Sequence, residues 1–275
     1  MAKHLNTDLQ GANKPSQKLS SEAWGFRLGA VGAIVGSLLA MVGNLLHPAT
    51  PVGRSEGVAR AIAESAAWAP IHLMIVAGLI LMFAGLVAIS RSLRGGLAGA
   101  LAQFGYVAAI AGITIGVLLV MLDGVAAKHL ADVWAASPQE EKGAALRLVL
   151  AEESLNFAIA SAFNILFAGV TYILLGLAVT LSRVYPRPLG WVAVVTGLGC
   201  IIAGLIQALT GEPTLVTKTL TIIFPTVITI WTALLGVLLW RNPLANDTSV
   251  NRTANETVAE VVRDPTRLAP QPFKS

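Results

Sequence analysis

The chain has 275 residues, 55% of them apolar and 12% charged, with a mean hydropathy of +0.71. An average soluble domain carries roughly 25% charged residues, so there is too little charge here to cover a core of this size, and the chain is either a membrane protein or a very unusual soluble one. The net charge of +4 is small and no run of five Lys or Arg occurs, so no nucleic-acid partner is expected.

Residues 1–23 are polar and weakly basic, contain Pro15, and lack the composition of a cleaved signal peptide. They are expected to form a cytoplasmic N-terminal segment. A bilayer core about 30 Å thick needs roughly 20 helical residues, and six stretches supply them: 28–46, 71–90, 97–122, 155–182, 189–209 and 219–240. Lipid offers no hydrogen-bond partners, so these spans are expected to be helices. No ten-residue alternation suggests a membrane β-barrel. The expected fold is therefore all-α, a polytopic membrane bundle over residues 24–241, with the lipid bilayer as its partner. A polar tail, 242–275, is expected to be disordered and cytoplasmic. Its three Asn-x-Thr triplets, at Asn246, Asn251 and Asn255, read as chance on that side of the membrane.

Lys and Arg distribution sets the orientation. With the N-terminus inside, thirteen of the nineteen basic residues fall on the inner side, including the short turns RSLR (91–94) and RVYPR (183–187). Both termini are thus expected in the cytoplasm, with the chain in the plasma membrane. The two long outer segments are expected to be partly helical. In the first, Ser55 is placed to cap a short amphipathic helix carrying Val58 and Ile62. In the second, Ser137-Pro138-Gln139-Glu140 has the spacing of a capping box. Two hairpins, spans two–three and four–five, share small-residue positions at an offset of 91 or 92, compatible with a parallel duplication.

Polar residues inside such a chain are few. Gly32, Gly36 and Ala40 recur every fourth residue along span one, a face that suits close helix approach within the chain or in a homo-oligomer or partner contact. Asn44 and His47 continue it. On span four Glu153, Asn156, Asn164 and Thr171 lie within about 80° of one another at 100° per residue, a polar stripe that should face protein or water. Pro225 is expected to kink the last span, with Thr221 or neighbouring helices covering the freed carbonyls. Trp24, Trp68, Trp191, Trp231 and Trp240 read as an interfacial belt.

Connectivity puts His47, His72, Asp123, His129 and Glu153 at one outer boundary. The candidate ligand-binding residues are therefore Asn44, His47, His72, Asp123, Glu153, Asn156 and Asn164, with His47, His72 and His129 as candidate metal ligands. A divalent metal or haem would suit imidazoles with a nearby carboxylate. However, HExxH, CxxC and a His pair on one helical turn are all absent. His47-Pro48 consequently reads first as a helix stop, and no cofactor is required. The lone Cys200 lies inside an apolar run, and no nucleotide loop or nucleophile elbow is present, so catalytic residues are unassigned.

The passage NILFAGVTYILLGLAVTLSRVYPRPLGWVAVVTGLGCIIAGL resembles an uncharacterised family of bacterial six-span integral membrane proteins of unknown function, in which a basic Tyr-Pro turn joins two Gly-rich spans. It implies a six-span bacterial membrane protein and carries no functional residue. The leading expectation is a non-enzymatic membrane protein. The alternatives are a ligand-, metal- or haem-binding protein or enzyme with an outward His/Asp/Glu site, and a small-solute transporter with a cavity lined by Asn164, Thr171 and Gln207.

Overall fold

The structure is a computed structural model describing residues 14–51, 55–212 and 214–241. Chain contacts separate a large unit, Gly25–Trp240, from a small one formed by Met1–Trp24 and Arg241–Ser275. Residues 1–13 and the tail from 242, with its Asn-x-Thr triplets, lie outside the described residues.

All regular structure among the described residues is helical. In chain order the helices are α1 (Lys14–Leu46), α2 (Glu56–Glu64), α3 (Trp68–Ser92), α4 (Gly96–Met121), α5 (Ala127–Ala136), α6 (Gln139–Phe163), α7 (Tyr172–Leu181), α8 (Arg187–Thr210) and α9 (Leu215–Arg241). A π-helical turn, Leu122–Ala126, joins α4 to α5, and a second, Asn164–Thr171, joins α6 to α7. Six helical stretches are long and apolar enough to cross a membrane: Ser21–Leu46, Trp68–Ser92, Gly96–Ala136, Gln139–Leu181, Arg187–Thr210 and Leu215–Arg241. The first helix begins at Lys14, so part of the polar N-terminal segment continues it.

Two of these stretches, of 41 and 43 residues, would measure about 60 Å, twice a bilayer core. Their surplus is α5 and the N-terminal half of α6, which pack on each other and on α2 beyond the span ends. Val58 and Ile62 of α2 meet Trp68, Ala127 and Ala131, while Ala59 meets Trp134 and Val149. Lys128 Nζ donates to the Ala63 carbonyl at 3.0 Å and holds the end of α2 in place.

Two expected caps are not made. Ser55 stands at the N-cap position of α2, yet its side chain makes no capping bond. Ser137 ends α5 instead of opening α6, and its hydroxyl donates back to Val133. Pro138 takes the N-cap of α6, so the proposed capping box fails because the proline shifts the helix start by one residue.

Small residues set the helix order. A Cβ on Gly36 would lie 2.6 Å from the Gly78 carbonyl oxygen, and one on Gly78 2.7 Å from the Ala40 amide nitrogen. The face of Gly32, Gly36 and Ala40 is therefore occupied by α3 of the same chain, the intrachain alternative that its spacing allowed. Gly236 brings α9 against Ala33 and Ala30 of α1. At the end bearing the basic turns, Gly95 and Gly96 adopt positive φ and reverse the chain between α3 and α4. There Tyr185, buried in the RVYPR turn, shares a hydrogen bond with Ser92 at 2.8 Å, tying the two basic turns together.

Trp24, Trp191 and Trp240 are half-exposed or more, as an interfacial belt requires. Trp68 and Trp231 depart from it. Both are buried, and their indole N–H groups donate to the carbonyls of Asp123 and Leu189, each at 2.7 Å. Cys200 is buried in α8.

Candidate functional site

α1 stops at Leu46, and Pro48 keeps it from resuming, which leaves His47 just beyond the helix end. α3 starts at Trp68, so His72 lies one turn in, on the same face as Trp68. α4 passes into its π-helical turn at Leu122, and the wider turn shifts the helical phase at Asp123. Gly124 permits the contact that follows, because a Cβ there would overlap the His72 side chain.

These three ends bring His47, His72 and Asp123 into one triangle. His47 Nε2 lies 3.2 Å from His72 Nε2, His72 Nε2 lies 3.1 Å from Asp123 Oδ2, and His47 Nε2 lies 4.0 Å from the same oxygen. His72 is 2% exposed, while the His47 and Asp123 side chains are about one-third open. The remaining ring nitrogens are fixed by carbonyls that can only accept: His47 Nδ1–H donates to Pro48 O at 2.9 Å and His72 Nδ1–H to Trp68 O at 2.7 Å. Neutral rings held this way turn both Nε2 lone pairs inward, beside a carboxylate oxygen. The triangle is thus a set of three acceptors, whose mutual repulsion a proton or another cation at its centre relieves.

Trp68 braces the arrangement. Its ring stands edge-on to His47 at 4.8 Å and tilted over His72 at 5.0 Å, while its N–H fixes the Asp123 backbone. Lys218 of α9 donates to the Thr50 carbonyl at 3.1 Å and anchors the segment after His47. Burial holds the His47 pKa below its ordinary 6.5, with His72 and Lys218 adding to the effect and Asp123 opposing it.

Two cavities meet at the triangle. A chamber of about 370 Å³ runs from Asn44, His47, His72 and Asp123 down to Asn164 and Gln207. Its floor is closed by an amide pair, Asn164 Nδ2 donating to Gln207 Oε1 at 3.1 Å. Thr221 and Pro225 also line it. Pro225 has no N–H for the Thr221 carbonyl, and the Thr221 hydroxyl bonds the Thr217 and Lys218 carbonyls instead. A smaller cavity of about 140 Å³ is lined by His47, Asp123, Glu152, Glu153 and Asn156.

The predicted residues thus separate into groups. His47, His72 and Asp123 converge; Asn44 and Asn156 border the chamber, Glu153 the smaller cavity, and Asn164 forms the floor. His129 does not join them: it is exposed on α5, and the cluster with metal-compatible ligand atoms among the described residues contains only the first three. Thr171 lies away from the chamber, buried, with its hydroxyl on the Leu166 carbonyl, because the second π-helical turn breaks the regular 100° phase of the stripe. Sequence reasoning missed Trp68, Gly124 and Glu152. Only the four-residue spacing of Trp68 and His72 was visible as a signal. No family model, curated protein or solved structure matches this chain, so the six-span resemblance gains no support from these comparisons and the site rests on its geometry.

Proposed function

We propose that this is a multi-pass membrane metal-binding protein, whose His47, His72 and Asp123 side chains hold one divalent first-row transition ion at the extracytoplasmic boundary. The observation that carries this reading is the triangle itself. Sides of 3.2, 3.1 and 4.0 Å have a circumradius of about 2.0 Å, in the range of zinc–imidazole and zinc–carboxylate bond lengths of about 2.0–2.2 Å, and a closing of His47 on Asp123 by about half an ångström gives a tetrahedral spread. Both imidazoles also donate their far N–H to a backbone carbonyl, the outer-shell arrangement that orients metal-bound histidine.

Haem fits less well than an ion. Two axial imidazoles stand about 4 Å apart, twice a metal–nitrogen bond, whereas these are 3.2 Å apart with a carboxylate beside them. Two His and one carboxylate leave at least one coordination position open, a donor set shared by hydrolytic zinc sites and non-haem iron sites. The side of the membrane follows from the charge pattern. The exposed Arg91, Arg94, Arg183 and Arg187 lie at the opposite ends of the spans from the triangle, which the positive-inside rule assigns to the cytoplasm of a bacterial-type plasma membrane.

Elemental analysis of the detergent-purified protein, loaded with zinc and dialysed, tests the reading. The expected result is one ion per chain in the wild type, retained in His129→Ala and lost in His72→Ala. Equal residual zinc in wild type and His72→Ala would overturn it.

A further inference from the structure

We infer that the metal centre receives a single-chain acyl amphiphile, its carbonyl-type head on the ion and its hydrocarbon chain lying down the chamber. This rests on the metal reading above and specifies the ligand class of the same site.

The chamber touches all three ligand residues, whereas the smaller cavity touches only His47 and Asp123, so the open position of an ion in the triangle is assigned to the chamber side. From His72 to Met82 on α3 the lining covers ten residues, about 15 Å of helix rise, half the thickness of a bilayer core. Most of the wall is apolar, with Ile75, Leu79, Met82, Leu119, Phe163 and Phe167, and Asn44, Thr221 and Thr229, which also line it, donate to carbonyls of their own helices. The polar floor is largely occupied, since Asn164 Nδ2 donates to Gln207 Oε1 and Gln207 Nε2 reaches the Phe157 carbonyl at 3.5 Å, which leaves Asn164 Oδ1 as an acceptor. A mostly apolar space about 15 Å long, with a cation at one end and a largely hydrogen-bonded floor at the other, matches a chain with one polar head.

The head is defined by what surrounds the ion. Glu152 Oε1 and Asn156 Oδ1 are buried and receive no hydrogen bond from the chain. Both residues line the smaller cavity with His47 and Asp123. They are acceptors, so the head that completes them carries an N–H or O–H donor beside the oxygen that binds the metal. A fatty amide has that pairing, whereas a fatty acid ionises on the metal and loses its donor. The membrane location of the helices makes the lipid phase its source.

Hydroxamates test the idea, because they pair a metal-chelating oxygen with an N–H donor. Cobalt-loaded protein in one detergent is titrated with lauroyl hydroxamic acid and with acetohydroxamic acid, read from the cobalt absorption bands. Comparing variants in the same detergent cancels partition of the long chain into micelles. In Leu79→Trp, which fills the chamber, lauroyl affinity is expected to fall at least tenfold while acetohydroxamate affinity stays within twofold. Met82→Phe provides a milder filling should the tryptophan variant fail to fold, with cobalt retention as the check on the site. If cobalt binds but filling the chamber leaves lauroyl affinity unchanged, or weakens both probes equally, the acyl assignment is overturned and the metal centre stands. If the wild type binds no cobalt or zinc, the metal centre falls and this inference with it.

Discussion

Gly124→Ala is the sharpest single test of how the triangle is built. Gly124 follows Asp123 directly and lies in the π-helical turn packed on α3. An added Cβ would overlap His72 Cβ and lie 2.7 Å from His72 Cγ, about 0.7 Å inside the 3.4 Å of ordinary contact. His72 cannot yield alone, because its Nδ1–H is held by Trp68 O and its ring lies against Trp68. The turn and α3 must therefore separate by a good fraction of an ångström, a shift larger than the ~0.5 Å tolerance of a preorganised site. Overpacking of this kind costs about 1–3 kcal/mol, and misplacing a ligand should weaken metal binding by about 10–100-fold, as loss of an outer-shell partner does. Thermal unfolding in detergent and competitive zinc titration measure the two effects. Gly143→Ala is the control: it lies in α6 with nothing within 4 Å of an added Cβ, so it should leave zinc affinity alone and stabilise by up to ~1 kcal/mol. Wild-type stability and zinc affinity in Gly124→Ala would refute the packing argument.

Three further outcomes are expected. Trp68→Phe keeps most of the ring but leaves the Asp123 carbonyl without its donor, a loss of about 1–3 kcal/mol read by thermal unfolding, together with weaker zinc binding. His47 sits beyond α1 with its pKa below 6.5 because of burial, so the native apo-protein binds fewer protons there than the unfolded chain. Its contribution to stability is full above pH 6.5 and declines as pH falls from 6.5 through the lower folded value, and His47→Gln should flatten that part of the pH–stability curve; an unchanged profile counts against the assignment. A double-mutant cycle of Asn164→Leu and Gln207→Leu should give a coupling of about 0.6–1.7 kcal/mol, the range for hydrogen bonds between membrane helices, and zero coupling would dissolve the chamber floor.

The six spans were legible because hydropathy and length act along the chain, and lipid leaves a backbone few alternatives. The shared depth of His47, His72 and Asp123 was legible for the same reason: each lies at a span end that connectivity places on one side. Their lateral meeting was not. It depends on which helices are neighbours, and here Gly36 and Gly78 decide that through backbone contacts, and Gly124 through the His72 side chain, all between residues far apart in sequence. The apparent stripe on span four misled at Thr171, since a constant 100° step cannot anticipate a π-helical turn. Glu152 read as ordinary solvent-facing charge, because nothing local shows that α2 and α5 fold over that part of α6. Trp68 read as a belt residue because only the folded bundle supplies the carbonyl that receives its N–H.

The buried Cys200 has a practical consequence for topology. It is the sole thiol in the chain and is sealed within α8, so membrane-impermeant maleimides should find almost no native target on intact cells. Single cysteines placed in the Arg91–Arg94 turn and on exposed positions of α5 can then be labelled without first stripping the protein of its own sulfur. Their opposite reactivities would report directly which face of the bilayer each end of the bundle meets.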